Sequence, residues 1–178
     1  MKKRLSVRYI TLSAMLVAMS VVIGIFCKSV LNFGGGLFRI TFENLPIIIS
    51  GIFFGPAAGA SVGLLSDIIS YLLSGQSYPL NAVVTVGAVS VGLVSGLVSR
   101  FAVRERGNLQ IILSGALAHV VGSMIIKPIG LYQFYGMAVL FRIPMYLVIA
   151  PIEILLICLL YKKSGFRRLV DDIGGENI

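Results

Sequence analysis

Six apolar stretches fill most of the 178 residues, and they constrain the fold more than any other feature of the sequence. They fall approximately at 9–28, 42–54, 56–73, 79–101, 109–127 and 138–161. A helix needs about 20 mostly apolar residues to cross a bilayer, and only structures that satisfy their own backbone hydrogen bonds can do so. The predicted fold is an all-α membrane protein, one domain over 1–178 arranged as a six-transmembrane-helix bundle. Composition agrees: 57% of residues are hydrophobic and 12% charged, about half the charge of a typical soluble domain. The second stretch is the shortest and ends at Gly55-Pro56, where a tight reversal leads into the third. The opening MKKRLSVRYITLSAMLVAMSVV has the outline of a signal peptide. Its apolar run continues to Phe26 without a polar cleavage region, so it is read as the first span.

The net charge of +8 is concentrated in three places. Lys2, Lys3, Arg4 and Arg8 precede the first span; Arg100, Arg104 and Arg106 follow the fourth; Lys162, Lys163, Arg167 and Arg168 follow the sixth. These 11 of the 15 cations are separated by even numbers of spans, so they share one side, which the positive-inside rule makes the cytoplasm. Both termini are then cytoplasmic in a cell membrane, and the basicity reads as topology, with no nucleic acid as partner. Cys27 and Cys158, in or beside apolar runs, are read as buried bystanders without a disulfide.

The other four cations, Lys28, Arg39, Lys127 and Arg142, fall at the opposite, external side. Each could be a long side chain snorkelling to the interface; together they place positive charge around one mouth, where an anionic ligand would benefit. The external connections pair glycines with Phe33, Phe38, Tyr78, Tyr132, Phe134 and Tyr135. An aromatic belt accounts for such residues, and so does a glycine-hinged lid over a ligand. Within the spans, ionisable groups are costly unless paired or functional. Asp67 lies in the middle of the third, His119 in the fifth with Ser123 and Lys127 on its stripe, and Arg142, Tyr146 and Glu153 on one stripe of the sixth. Glu153 lies about 16 Å below Arg142 and is read as structural; Glu43 is read as a helix cap or a partner for Arg39. Asp67 and His119 are each open to a structural pairing or to ligand contact. The expected ligand pocket lies at the extracellular side of the bundle.

Small residues recur at spacing four, as in Ala14 and Ala18, Gly59 and Gly63, Gly92 and Gly96, and Ser114, Ala118 and Gly122, which permits close helix approach. The sequence contains no GxxxxGK[ST] and no HExxH, and its single histidine cannot build a multi-histidine metal site. Neither catalysis, nor ATP hydrolysis by a P-loop, nor a metal or cofactor is expected.

The run LFRITFENLPIIISGIFFGPAAGASVGLLSDIISYLL at 37–73 resembles the substrate-binding S components of energy-coupling factor (ECF) transporters, most closely the folate-specific kind. The likeness rests on Arg39, Phe42, Leu45, Pro46 and Ile47, then Gly51, Gly55, Pro56 and Gly59, then Asp67, and it extends to PIE at Pro151, Ile152 and Glu153. It implies a six-helix bundle that captures a vitamin outside. A membrane scaffold subunit and two ATP-binding-cassette ATPases would energise its delivery, with Ala14 and Ala18 docking on the scaffold. Folate suits the residues: Asp67 could pair with the donor edge of the pterin. Arg39, Lys127 or Arg142 could bind the glutamate carboxylates, and Phe33, Phe38, Tyr78 or Tyr132 could stack on the rings. The other readings are an S component for another anionic vitamin, such as pantothenate, and a small self-sufficient transporter.

Overall fold

A computed structural model of the chain describes residues 7–33, 38–74, 80–102 and 107–163, with backbone alone at 32, 33, 38, 39 and 74. Seven α-helices account for nearly all of it: α1 (Val7–Val30), α2 (Asn44–Phe54), α3 (Pro56–Ser74), α4 (Ala82–Leu97), α5 (Asn108–Ala118), α6 (Lys127–Tyr135) and α7 (Arg142–Lys162). Two-residue strands β1 (Asn32–Phe33) and β2 (Phe38–Arg39) pair antiparallel after α1, and β2 lies against α7. Two π-helical segments, Val98–Ala102 and His119–Ile126, prolong α4 and α5. The second joins α5 to α6 without a break.

Among the described residues, four helical stretches are long and apolar enough to cross a membrane: Val7–Val30, Pro56–Leu73, Ala82–Ala102 and Asn108–Lys162. The last, at 55 residues, folds back on itself, because α5 packs against α7. The reversal comes at Gly136, whose φ of 55° ends α6 in the left-handed region open to glycine. At 11 residues α2 spans about 16 Å, well short of the hydrocarbon thickness. It is nonetheless the centre of the bundle: residues 44 to 52 are all buried, surrounded by α1, α3, α4, α5 and α7. It stops at Gly55, with φ of 98°, and α3 starts at once on Pro56, whose missing N–H costs nothing in a first turn.

One expectation is corrected here. The stretch after Lys127, read as a glycine-hinged external loop, is helix as far as Tyr135. Pro128 stands in the first turn of α6, where a helix tolerates it. Gly130 is a contact glycine: a Cβ there would meet Val83 Cβ at 2.9 Å and Val84 N at 3.0 Å. Asn81, the N-cap of α4, accepts from Val83 N at 2.8 Å and donates to the Gly130 carbonyl at 2.5 Å, tying the two helices together.

The surface is apolar and the interior is mixed. Met15, Val22, Leu72, Phe101, Leu147 and Val148 are all more than 60% exposed, while Asn44, Ser95, Ser114, His119, Ser123 and Glu153 are fully buried. That inversion suits lipid as the solvent, with interhelical contact made by small and polar groups. The tightest seam joins α3 to α4. A Cβ at Gly92 would collide with the Gly59 carbonyl, one at Gly63 with the Ala88 carbonyl, and one at Gly96 with Pro56. Gly92→Ala should therefore cost about 1–3 kcal/mol and lower the thermal midpoint in detergent by several degrees. Gly107→Ala, where a Cβ would meet no neighbour within 4 Å and only the N-cap preference for glycine is lost, should cost less, under about 1 kcal/mol.

Candidate ligand-binding cleft

The polar side chains converge at the end of the bundle where α1 and α3 finish and α4 and α7 begin. The opposite end carries Arg8, Arg100, Lys162 and Lys163, together with the Tyr9–Phe54 and Phe53–Tyr161 ring contacts. At the polar end, Ser20 on α1, Glu43 just before α2, Ile47 on α2, Ser66, Asp67 and Ser70 on α3, Ala88 on α4 and Lys127 on α6 line a cleft. Its free volume is about 10 Å³, room for no more than a water.

Lys127 stands at its centre and is only 5% exposed. Its Nζ donates to Asn44 Oδ1 at 3.0 Å and lies 3.4 Å from Glu43 Oε1. Asn44 in turn donates to Ser123 Oγ at 3.3 Å. Gly87 on α4 makes room for the lysine stem: a Cβ there would lie 2.6 Å from Lys127 Cγ. Asp67 accepts from the Thr85 hydroxyl at 2.7 Å, across the α3–α4 seam. Lys28 donates to Ser70 at 2.7 Å and Ser20 to the Glu43 carbonyl at 2.7 Å, joining α1 to α3 and to the start of α2. Two carboxylates and two ammonium groups are thereby gathered at one end of the bundle, with Glu43 and Lys127 paired directly.

The candidate residues are distributed unevenly. Asp67 and Lys127 line the cleft. Arg142 is buried at the head of α7, its guanidinium 5.0 Å from the centroid of the Tyr135 ring, and does not line it. Tyr132 is half exposed on an outward apolar groove of about 450 Å³ that it shares with Met124, Ile129, Leu140 and Ile143. Phe33, Phe38 and Arg39 belong to the β-hairpin, where backbone alone is described, and Tyr78 lies outside the described residues. Ala14 and Ala18 are exposed on the outward face of α1. Among the described residues, no group of three or more His, Cys, Asp or Glu could hold a metal.

Glu43 is expected to cap α2 or to pair with Arg39, whose side chain lies outside the described residues. Glu43 occupies the N-cap position of α2, but its side chain makes no cap hydrogen bond and points to Lys127. Ser123 stands with Lys127 as its stripe predicts, whereas Asn44 and Thr85 are partners that the fold brings in. An adjacent Glu-Asn pair opening an otherwise apolar helix was the available signal. His119 departs from its expected stripe. Ser123 and Lys127 both meet Asn44, whereas His119 is fully buried with its Nε2 2.7 Å from Oε2 of Glu153, also fully buried. The contact is close but poorly aligned for a hydrogen bond, and His119 Nδ1 and Glu153 Oε1 have no partner among the described residues. The pair ties the start of the π-helical segment to the middle of α7, below the cleft. A His119→Ala, Glu153→Ala double-mutant cycle, read from unfolding in detergent, should give a coupling of about 1–3 kcal/mol. Additive losses would mean that the two residues act independently.

The fold has counterparts. A solved structure of FolT bound with folic acid superposes with a TM-score of 0.67 at 21% identity, covering 85% of this chain and 90% of that one. A search of curated proteins found no match. Residues 8–167 match the family model described as the ECF transporter, substrate-specific component. A match over that much of the sequence, on a bundle of apolar helices enclosing a charged cleft, places the chain in the family of ECF-transporter substrate-specific components, multi-pass membrane subunits that bind a transported substrate and are not enzymes.

Proposed function

We propose that this chain is a folate-binding S component that captures the vitamin outside the cell and delivers it inward with a separate scaffold subunit and two ATP-binding-cassette ATPases. In this reading α5 with α6 forms one crossing and α7 another, and α2 completes a six-helix bundle. The Arg8, Arg100, Lys162 and Lys163 end is cytoplasmic, as the positive-inside rule requires. The cleft then opens to the exterior.

The observation that carries the reading is the presence in that cleft of two carboxylates, Glu43 and Asp67, together with the Lys127 ammonium. Folate presents both complements. Its pterin edge offers an amino group and a ring N–H to a carboxylate, and its glutamate tail offers carboxylates to cations. Asp67 suits the first role, because its bond to the neutral Thr85 hydroxyl leaves acceptor capacity on the carboxylate. Lys127 suits the second, with Lys28, Arg39 and Arg142 near the same end. Pantothenate has a carboxylate but no paired donor edge, so it would leave the acidic half of the cleft unmatched. The likeness to FolT's fold adds support of a coarser kind. Ligand pockets typically enclose about 300–1,000 Å³, so the cleft must open from its present 10 Å³ by separating Glu43 from Lys127. The outward groove has the volume but lacks converging polar groups.

Titration of the detergent-solubilised chain tests this directly. Folate should bind and pantothenate should not compete. Asp67→Asn should weaken folate by roughly 10- to 100-fold, the worth of one or two charge-assisted hydrogen bonds; unchanged affinity would remove Asp67 from the site. Proteoliposomes holding this chain alone should take up no folate, and uptake by the lone chain would support a self-sufficient transporter.

A further inference from the structure

We infer that Glu43 is an internal stand-in for a ligand carboxylate, holding Lys127 while the cleft is empty and yielding it to an incoming anion. The inference rests on the proposed function only in that the ligand carries a carboxylate. Lys127 is the fixed half of the pair. It is 5% exposed, bonded to Asn44, and seated by its stem against Gly87, so its ammonium is largely withdrawn from water. An ammonium buried in a membrane bundle needs a counter-charge at all times, and an empty site must supply one from within.

Glu43 has the attributes of a replaceable partner. Its side chain is 20% exposed, and it precedes the first turn of α2 without capping it. Its Oε1 stands 3.4 Å from Lys127 Nζ, longer than the 2.7–2.9 Å of a tight charge-assisted bond. It also packs closely on α1, where a Cβ at Gly24 would come within 3.1 Å of Oε2, so loosening of α1 from α2 would free it. Asp67 differs: its short bond is to a neutral hydroxyl, and nothing need be displaced for it to accept from a ligand. When a ligand carboxylate replaces Glu43 on Lys127, the cleft keeps one anion against one cation and Glu43 turns to water at the mouth. A ligand without a carboxylate cannot make this exchange, so Glu43 sets selectivity for anions and tempers their affinity.

The test uses the full chain in detergent as wild type, Glu43→Gln, Lys127→Gln and the double variant. Each is titrated with 4-aminobenzoylglutamate, which has the carboxylates without the pterin, and with a pterin lacking carboxylates. Glu43→Gln should bind the carboxylate fragment roughly two- to fivefold more tightly than wild type, the worth of one partly exposed ion pair. The pterin should be unaffected, and the gain should vanish in the Lys127→Gln background. Weaker, equal or undetectable fragment binding by Glu43→Gln would overturn the inference, as would an equal gain for the pterin or a gain that persists without Lys127. Should Glu43→Gln not fold, Glu43→Asp, which keeps the charge but shortens the reach, is judged by the same outcomes. A parallel folate titration of wild type separates the two ideas, since its failure alone would count against the vitamin reading.

Discussion

The cleft is organised by a single buried ammonium group. Lys127 sits inside a bundle whose outer surface is apolar, and Glu43, Asn44 and, through Asn44, Ser123 are arranged around it. Burying that charge requires α2 to begin with Glu-Asn, α4 to carry a glycine beside the lysine stem, and the long helix through α5 and α6 to present its side chain inward. The π-helical segment His119–Ile126 immediately precedes Lys127, and wide turns of this kind often occur at functional sites. The same charge draws Glu43 and Asn44 onto Lys127 and leaves the cleft little free space.

The helices can approach closely enough to do this because glycine replaces side chains where backbones meet. Gly59 against Gly92 and Gly63 against Ala88 bring α3 onto α4, and that contact brings Asp67 within hydrogen-bonding distance of Thr85. Gly87 and Gly122 do the same for α4 and the long helix, where a Cβ on Gly122 would lie 2.8 Å from the Gly87 carbonyl. Without a hydrophobic drive between helices in lipid, such contacts and a few buried polar bonds hold the bundle together.

Much of this was legible in the sequence. Length and hydropathy indicate membrane helices, and the spaced small residues do lie at helix contacts in the α3–α4 seam. Asp67 and Lys127 stand out as charges inside apolar runs, and the structure brings both to one cleft. Pairings between helices were harder to read. Glu43 is next to the α2 N-terminus, a position where capping is the local expectation, and only the tertiary fold supplies Lys127, 84 residues away, as its partner. His119 shares a helical stripe with Ser123 and Lys127 on paper, but α7 places Glu153 against it. Gly130 reads as a hinge because Pro128 precedes it nearby, yet α4 packs against it and keeps the segment helical.

The central claim is that this cleft holds folate, and it is tested most directly by the small molecule retained by the chain itself. The protein purified in mild detergent from cells supplied with folate should release, on denaturation, a compound with pterin absorbance at close to one molecule per chain. Release of a different vitamin, or of none from a chain that remains folded and monodisperse, would contradict the account.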